Sequence, residues 1–181
     1  MKFIPTRVDG AFIVEAEAFR DERGTFTRTF DAAEFAEHGL AGAVAQASAA
    51  TTVRQGTVRG MHWQVAPALE TKYVRCTRGV IYDQIVDLRP DSPTYLESVG
   101  VELSAENARG LFVPALCAHG YQSLTDDTEV HYVMSEFYDP ATQRGHRYDD
   151  PAFGLSWPLE VTVVSDKDLS WPPFDGPPRP A

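Results

Sequence analysis

Thr57-Val58-Arg59-Gly60-Met61-His62-Trp63-Gln64 is the stretch around which the chain is organised, because it places polar side chains in a run that otherwise has the composition of a buried strand. Buried polar groups cost free energy unless they are paired, so their presence indicates a site. Side chains alternate between the two faces of a strand, which separates Arg59 from His62. Arg59 can join His62 only if Gly60 forms a bulge or bend.

The composition is that of one globular domain. The chain has 181 residues, of which 43% are hydrophobic and 23% are charged, and no shift in composition divides it before a Pro/Gly-rich end. We therefore expect a single domain over residues 1–171, followed by a tail over residues 172–181 that we expect to be mobile.

Charge and cysteine content exclude several classes of protein. A formal net charge of −10 argues against nucleic-acid binding, which depends on clustered lysine and arginine. Cys76 and Cys117 form no metal-like or redox-like pair, so we expect two reduced thiols. The sequence has no signal-peptide pattern and no run of apolar residues long enough to span a membrane, which predicts a cytoplasmic protein without a membrane partner.

Strand patterns dominate the chain. The only helical pattern covers residues 31–40, where an aspartate can cap the first turn and Gly39 can end the helix. Many short strands with almost no helix predict an antiparallel sandwich or closed barrel, whose interior can hold one small ligand. The predicted strands cover residues 10–16, 43–52, 57–64, 71–78, 80–88, 95–103, 110–113, 119–125, 128–138 and 159–164.

Two further polar residues lie on strand faces that look buried. Alternation places Lys72 on the same face as Val74, and Tyr132 on the same face as Val130. Each has an ordinary explanation, since a lysine can reach solvent from a barrel rim and a tyrosine hydroxyl can lie at the surface. Together with His62, however, they would supply a base, a cation and a proton donor, which suits deprotonation beside a carbonyl.

A metal site is the competing interpretation, because His62 and His119 fall on separate predicted strands. Metal-binding barrels of this kind use a His-x-His motif followed by a glutamate, whereas this chain has Gln64 two residues after His62. We expect no metal. Near the end of the chain, Asp168 either lies in a solvated turn or uses its carboxylate to orient a histidine.

Taken together, these motifs resemble the dTDP-4-dehydrorhamnose 3,5-epimerases, a family of sugar-nucleotide epimerases. The resemblance implies an all-β double-stranded β-helix (a cupin-like jelly roll) with a short N-terminal helix. The motifs that carry it run in order along most of the chain and include Asp21-Glu22-Arg23-Gly24-Thr25-Phe26, Arg59-Gly60-Met61-His62-Trp63-Gln64, Lys72-Tyr73-Val74-Arg75, Leu103-Ser104-Ala105-Glu106-Asn107, Ala118-His119-Gly120-Tyr121 and Ser165-Asp166-Lys167-Asp168.

The resemblance implies four catalytic residues. His62 would remove the proton next to the C4 ketone of a nucleotide-linked sugar, and Asp168 would orient it. Lys72 would stabilise the enolate oxygen, and Tyr132 would return a proton from the opposite face. This chemistry needs neither a metal nor a redox cofactor, so we expect none.

The resemblance also implies substrate contacts. Gln46, Arg59 and His119 match positions that contact the substrate, and Tyr138 matches an aromatic residue that lies against the nucleotide base. The partner implied is a nucleotide-diphosphate 4-keto sugar.

An N-terminal segment of the family reaches into the partner subunit, and Arg23 and Phe26 match it, which implies a homodimer. Arg28 stands where the family commonly has an acidic residue that contacts the base. An arginine can only donate hydrogen bonds, so it would favour a CDP- or GDP-linked sugar if it reads the base. Alternatively, Arg28 points to solvent or pairs with an acidic side chain.

Two other functions stay open at this point. A related enzyme could invert only C3 or only C5 of another nucleotide-linked 4-keto sugar. A sugar-binding barrel without catalytic activity is the second alternative, but binding alone would not need both His62 and Tyr132.

Overall fold

The computed structural model describes residues 1–40 and 42–176, and it is built almost entirely from β-strands. The strands are β1 (Lys2–Pro5), β2 (Phe12–Glu15), β3 (Ala18–Asp21), β4 (Gly24–Thr27), β5 (Gln46–Thr52), β6 (Val58–Gln64), β7 (Lys72–Arg78), β8 (Val80–Asp87), β9 (Ser98–Ser104), β10 (Arg109–Val113), β11 (Cys117–Ser123), β12 (Thr128–Met134) and β13 (Gln143–Gly145). The helices are α1 (Ala32–Glu37) and α2 (Asp166–Leu169).

Two antiparallel sheets form the body of the molecule. The six-stranded sheet has the order β1-β2-β10-β7-β12-β5, and the five-stranded sheet has the order β13-β6-β11-β8-β9. Strands β3 and β4 pair only with each other, as a separate hairpin. Helix α1 is capped by Asp31, whose side chain accepts hydrogen bonds from Ala33 N and Glu34 N. The expected all-β jelly roll with a short N-terminal helix is confirmed.

The alternation of side chains divides the space between the sheets into a core and a pocket. On β7, Val74 and Cys76 are buried in the main hydrophobic cluster, and Lys72 on the same face lines a pocket. On β12, Val130 belongs to the cluster and Tyr132 lines the pocket. Each strand therefore carries apolar residues at one end of the interior and polar residues at the other.

A register shift between β6 and β11 brings Arg59 to the side of His62. His62 lies opposite His119 and Arg59 opposite Tyr121, so two residues of β6 face the single residue Gly120. Gly60, at φ +128°, lies in this bulge, and a Cβ there would lie 2.5 Å from the Cα of Gly120. The bend expected at Gly60 is present, and only glycine fits it.

Not every predicted element forms. The strand predicted over residues 159–164 is wrong, because this segment makes only an isolated bridge between Val163 and Thr57. The backbone N–H of Leu159 donates to the side chain of Gln122 instead of a neighbouring strand. The strand predicted over residues 128–138 ends at Met134. Helix α2 and the short strands β1, β3, β4 and β13 were not predicted.

The first residues of the C-terminal tail pack against the domain. Nδ1 of His146 lies 3.0 Å from the carbonyl oxygen of Pro172, and the ring of Phe174 packs edge-on against His146. The N–H of Phe174 donates to Asp150 at 2.7 Å. Residues 172–176 are therefore held in place, and residues 177–181 lie outside the described part of the chain. Within the described part, neither helix is long and apolar enough to cross a membrane.

Candidate active site

A cavity of about 280 Å³ opens between the two sheets. Its walls come from both sheets and from the segment between β12 and β13, and they carry mostly polar and aromatic side chains. The lining residues are Gln46, Ser48, Arg59, His62, Trp63, Gln64, Glu70, Lys72, His119, Tyr121, Tyr132, Met134, Tyr138 and Gln143.

Most of the residues singled out from the sequence meet in this cavity. Gln46, Arg59, His62, Lys72, His119, Tyr132 and Tyr138 all line it. Asp168 lies behind His62 and contacts it directly. Arg23, Phe26 and Arg28 do not line the cavity, since they belong to the separate hairpin and the segment that follows it.

His62 and Asp168 form a close pair. Nε2 of His62 lies 2.6 Å from Oδ1 of Asp168. A carboxylate accepts hydrogen bonds, so the imidazole carries its proton on Nε2, and Nδ1 is left with a free lone pair. Burial alone would raise the pKa of Asp168, but its hydrogen bonds, chiefly the one from His62, hold the pKa below its ordinary value. The imidazole of His62 is therefore held in one orientation by Asp168.

Helix α2 places Asp168 under β6. Ser165 caps this helix and accepts a hydrogen bond from the N–H of Asp168 at 3.1 Å. The second carboxylate oxygen of Asp168 accepts from the N–H of Gly60 at 3.4 Å. The bulge at Gly60 thus contacts the same carboxylate that orients His62.

Tyr132 faces His62 from the opposite sheet, since it lies on β12 and His62 lies on β6. Burial raises the pKa of Tyr132 well above its ordinary value, and the nearby Tyr121 and Asp83 raise it further. Tyr132 therefore carries its proton at neutral pH and can act as a donor. A base and an acid on opposite walls can reach opposite faces of a bound ring.

Lys72 is held by a buried carboxylate that the sequence reasoning missed. Its ammonium group lies 3.0 Å from Oε1 of Glu70 and donates to the carbonyl oxygen of His62 at 3.4 Å. Glu70 also accepts a hydrogen bond from Gln64 at 3.2 Å. Glu70 precedes the strand, so side-chain alternation gave no signal for it.

Gln64 links Glu70 to the segment that carries Tyr138. Its side-chain oxygen accepts from the N–H of Asp139 at 2.9 Å and from the hydroxyl of Thr142 at 3.2 Å. The hydroxyl of Tyr138 donates to Gln143 at 3.0 Å. Tyr138 is half-exposed and lines the cavity.

His119 forms a second histidine–carboxylate pair, in which its Nε2 lies 2.7 Å from Oδ1 of Asp83. Both side chains are buried. Asp83 was also missed, although the sequence contains a signal for it. Asp83 lies on the same face of β8 as Ile81 and Ile85, which belong to the hydrophobic core. An acidic residue on such a face needs a partner, and His119 supplies it.

The β3–β4 hairpin presents exposed aromatic and charged side chains. Phe26 lies directly opposite Phe19, and the two are 71% and 66% exposed. Arg23 pairs with Asp21 at 2.6 Å within the hairpin. Just after the hairpin, Arg28 pairs with Asp31 at 3.3 Å. None of these residues contributes to the cavity of its own chain as described.

Among residues 1–40 and 42–176, no group of three or more His, Cys, Asp and Glu side chains is placed to hold a metal ion. His62 and His119 each face a carboxylate of their own. Metal independence stays a prediction, and chelator treatment can test it.

Comparison with known proteins points to one family. A model of the dTDP-4-dehydrorhamnose 3,5-epimerase family matches residues 5–176. The enzyme of that description from Methanothermobacter thermautotrophicus is 44% identical to this chain over 176 residues, covering 96% of this chain and 94% of that protein.

Solved structures agree. The dTDP-4-dehydrorhamnose 3,5-epimerase of Bacillus anthracis, crystallised with TDP and PPi bound, superposes with a TM-score of 0.92 at 36% identity, covering 96% of this chain and 99% of that chain. ChmJ, a 3'-monoepimerase from Streptomyces bikiniensis in complex with dTDP-quinovose, superposes with a TM-score of 0.87 at 32% identity, covering 93% of this chain and 86% of that chain.

Proposed function

Because this chain belongs to the dTDP-4-dehydrorhamnose 3,5-epimerase family and is an isomerase, we propose that it converts dTDP-4-dehydro-6-deoxyglucose to dTDP-4-dehydrorhamnose by inverting both carbons beside the C4 ketone. The observation that carries this proposal is the placement of His62 and Tyr132 on opposite walls of one cavity. Inversion requires that a proton leave from one face of a carbon and return to the other.

His62 is the base in this proposal. Its Nε2–H is held by Asp168 at 2.6 Å, so Nδ1 accepts the proton from the carbon next to the ketone. The imidazolium that forms is stabilised by the same carboxylate.

Lys72 and Tyr132 complete the reaction. As the proton leaves, negative charge moves to the C4 oxygen, and the Lys72 ammonium stabilises it. Tyr132, which lies on the sheet opposite His62, then delivers its proton to the other face of the same carbon. Glu70, 3.0 Å from the Lys72 ammonium group, holds that group in place.

The diphosphate needs local positive charge on a protein whose formal net charge is −10. Arg59 supplies it within the cavity, and Gln46, His119 and Tyr138 provide further contacts for the sugar and the base. Arg28 is engaged by Asp31, which supports the alternative that it does not read the base. We therefore prefer dTDP over CDP or GDP.

Inversion at C3 alone is the second candidate, because ChmJ has the same fold and is a 3'-monoepimerase. Binding without catalysis has less support, since a binding protein would not need the oriented base His62 opposite Tyr132. We place the protein in the cytoplasm, where nucleotide sugars are made.

Proton NMR in heavy water tests the function. With dTDP-4-dehydro-6-deoxyglucose as substrate, we expect deuterium at C3 and C5 and a product inverted at both carbons. Inversion and deuterium at C3 alone would establish the second candidate. A protein that binds the nucleotide sugar without incorporating deuterium would be the non-catalytic barrel.

We also propose a homodimer in which the β3–β4 hairpin reaches the partner's cavity. The hairpin pairs with neither main sheet, and it exposes Phe19 and Phe26 side by side. Exposed apolar pairs of this size mark contact surfaces. Arg23, 85% exposed at its side chain, would add positive charge for the partner's diphosphate.

Phe26→Ser is expected to weaken dimerisation and to raise the KM for the nucleotide sugar by about tenfold, because burying one aromatic side chain contributes about 1.5–3 kcal/mol. Light scattering and steady-state kinetics measure both effects. Val53→Ser is the matched control, since Val53 is 77% exposed and follows β5, outside the hairpin. A Phe26→Ser protein that remains dimeric with an unchanged KM would contradict the proposal.

A further inference from the structure

Gln64 has no role in the reaction as described so far, yet it is a buried polar residue in the wall of the cavity. It is 3% exposed and lies at the end of β6, two residues after His62. A buried amide needs partners for its oxygen and for both of its N–H groups, because an unpaired polar group costs free energy. The partners of Gln64 therefore show which parts of the site it holds.

Two backbone groups fix the orientation of the Gln64 amide. The N–H of Asp139 can only donate, and it lies 2.9 Å from Oε1 of Gln64. The carbonyl oxygen of Phe137 can only accept, and it lies 3.2 Å from Nε2 of Gln64. Exchanging the oxygen and the nitrogen would place donor against donor and acceptor against acceptor, so the amide has one orientation.

In this orientation the amide nitrogen of Gln64 also reaches the carboxylate beside Lys72. Nε2 of Gln64 donates to Oε2 of Glu70 at 3.2 Å, and Oε1 of the same carboxylate lies 3.0 Å from the ammonium group of Lys72. Glu70 is 7% exposed. Gln64 therefore holds one oxygen of the carboxylate while the other oxygen faces Lys72. Loss of the Gln64 contact frees the carboxylate to turn and the ammonium group to move with it.

The other side of the amide holds the segment that carries Tyr138. The amide contacts both neighbours of Tyr138, through the carbonyl oxygen of Phe137 and the N–H of Asp139. Phe137 and Tyr138 are 64% and 52% exposed, so packing contributes little to holding them. Without the Gln64 amide, two backbone groups lose their partner, and the segment can pair them with water by moving outward.

We propose that Gln64 is a positioning residue that couples the two ends of the cavity. Through Glu70 it orients the ammonium group of Lys72, which stabilises the enolate oxygen. Through the backbone of residues 137–139 it places Tyr138 against the nucleotide base. This inference rests on the proposed function. One amide therefore sets both the binding of the base and the stabilisation of the enolate.

Two measurements separate the two effects of Gln64. Calorimetry with dTDP reports on the Tyr138 end alone, because dTDP lacks the keto sugar whose oxygen Lys72 stabilises. Deuterium exchange at saturating dTDP-4-dehydro-6-deoxyglucose reports on the Lys72 end, because saturation compensates for weaker binding. Gln64→Met keeps the length of the side chain without its amide. We expect its affinity for dTDP and its exchange rate each to fall by about tenfold.

Each end of the cavity also has its own variant. Tyr138→Ala should weaken dTDP binding by about tenfold and keep the parent's exchange rate, whereas Glu70→Met should lower the exchange rate by about tenfold with dTDP binding no weaker than the parent's. Adding Gln64→Met to Tyr138→Ala should weaken dTDP binding no further, because Gln64 acts on the base only through Tyr138. Adding Gln64→Met to Glu70→Met should likewise lower the exchange rate no further.

Gln122→Met is the matched control, because Gln122 is a buried glutamine that holds a loop by the same two kinds of contact. Its Oε1 accepts from the N–H of Leu159 at 2.9 Å, and its Nε2 donates to the carbonyl oxygen of Leu159 at 2.9 Å. Within the described part of the chain, Gln122 does not line the cavity. This variant should unfold at a lower temperature than the parent, with unchanged dTDP affinity and exchange rate. Thermal unfolding also shows whether each of the other variants is folded.

Three results overturn the inference. The first is a folded Gln64→Met protein in which only one of the two quantities falls, or neither. The second is a further loss in either double variant, and the third is equal losses in Gln122→Met, which would indicate general destabilisation. If the parent itself incorporates no deuterium, the proposed function fails and the inference fails with it. In a parent that exchanges and inverts, any of the three results removes the inference alone.

Discussion

His62→Asn is expected to abolish both deuterium exchange and inversion, with a loss of at least about 10²- to 10⁴-fold in rate. The asparagine side chain has no basic ring nitrogen. The β6 wall of this variant therefore carries no group that can accept the proton from the carbon beside the ketone. Removal of that proton precedes every later step, and Lys72 and Tyr132 cannot act without an enolate. Both NMR signals should therefore be lost together.

His131→Asn is the matched control, because this histidine lies on β12 with its side chain 50% exposed and paired with Glu129. It should exchange and invert at the parent's rates. Asp168→Asn should resemble His62→Asn in a milder form, since an amide in place of the carboxylate no longer fixes the proton on Nε2. A folded His62→Asn protein that still exchanges the substrate proton would require another base.

The strands that hold the site could be predicted because their polar residues interrupt strong alternation. Lys72 and Tyr132 stand out on faces shared with Val74 and Val130, and both line the cavity. Residues 159–164 also alternate, but they lie outside both sheets and their apolar side chains are partly exposed. Alternation alone does not predict whether a neighbouring strand is available to pair with the segment.

The rest of the site depends on contacts that side-chain alternation does not reveal. Glu70 lies just before β7 and pairs with Lys72, the first residue of that strand. Asp168 reaches His62 across 106 positions of sequence. The resemblance to a family supplied Asp168, whereas Glu70 and Asp83 had no such guide. The position of Arg28, bound to Asp31, likewise follows from the turn into α1 and not from its own residue type.

Gly60→Ala is the second large effect expected, and it acts through the geometry of β6. Gly60 has φ +128°, and an added Cβ would lie 2.5 Å from the Cα of Gly120 and 2.7 Å from the carbonyl oxygen of His119. These are backbone atoms of the neighbouring strand, so neither can move without shifting β11. Removing the bulge would return Arg59 to the face opposite His62, as simple alternation requires.

Gly24→Ala separates the two causes of this destabilisation. Gly24 has φ +129°, almost the same backbone conformation, but nothing lies within 4 Å of an added Cβ. It should lose about 1–3 kcal/mol of unfolding free energy from backbone strain alone. Gly60→Ala should lose about 1–3 kcal/mol more from the clash, and it should also lose activity, because Arg59 and His62 no longer share the cavity. Urea unfolding and the heavy-water assay measure the two quantities. Equal losses of unfolding free energy in the two variants would mean that β11 accommodates the added methyl group. Unchanged activity in Gly60→Ala would mean that the bulge does not set the positions of Arg59 and His62.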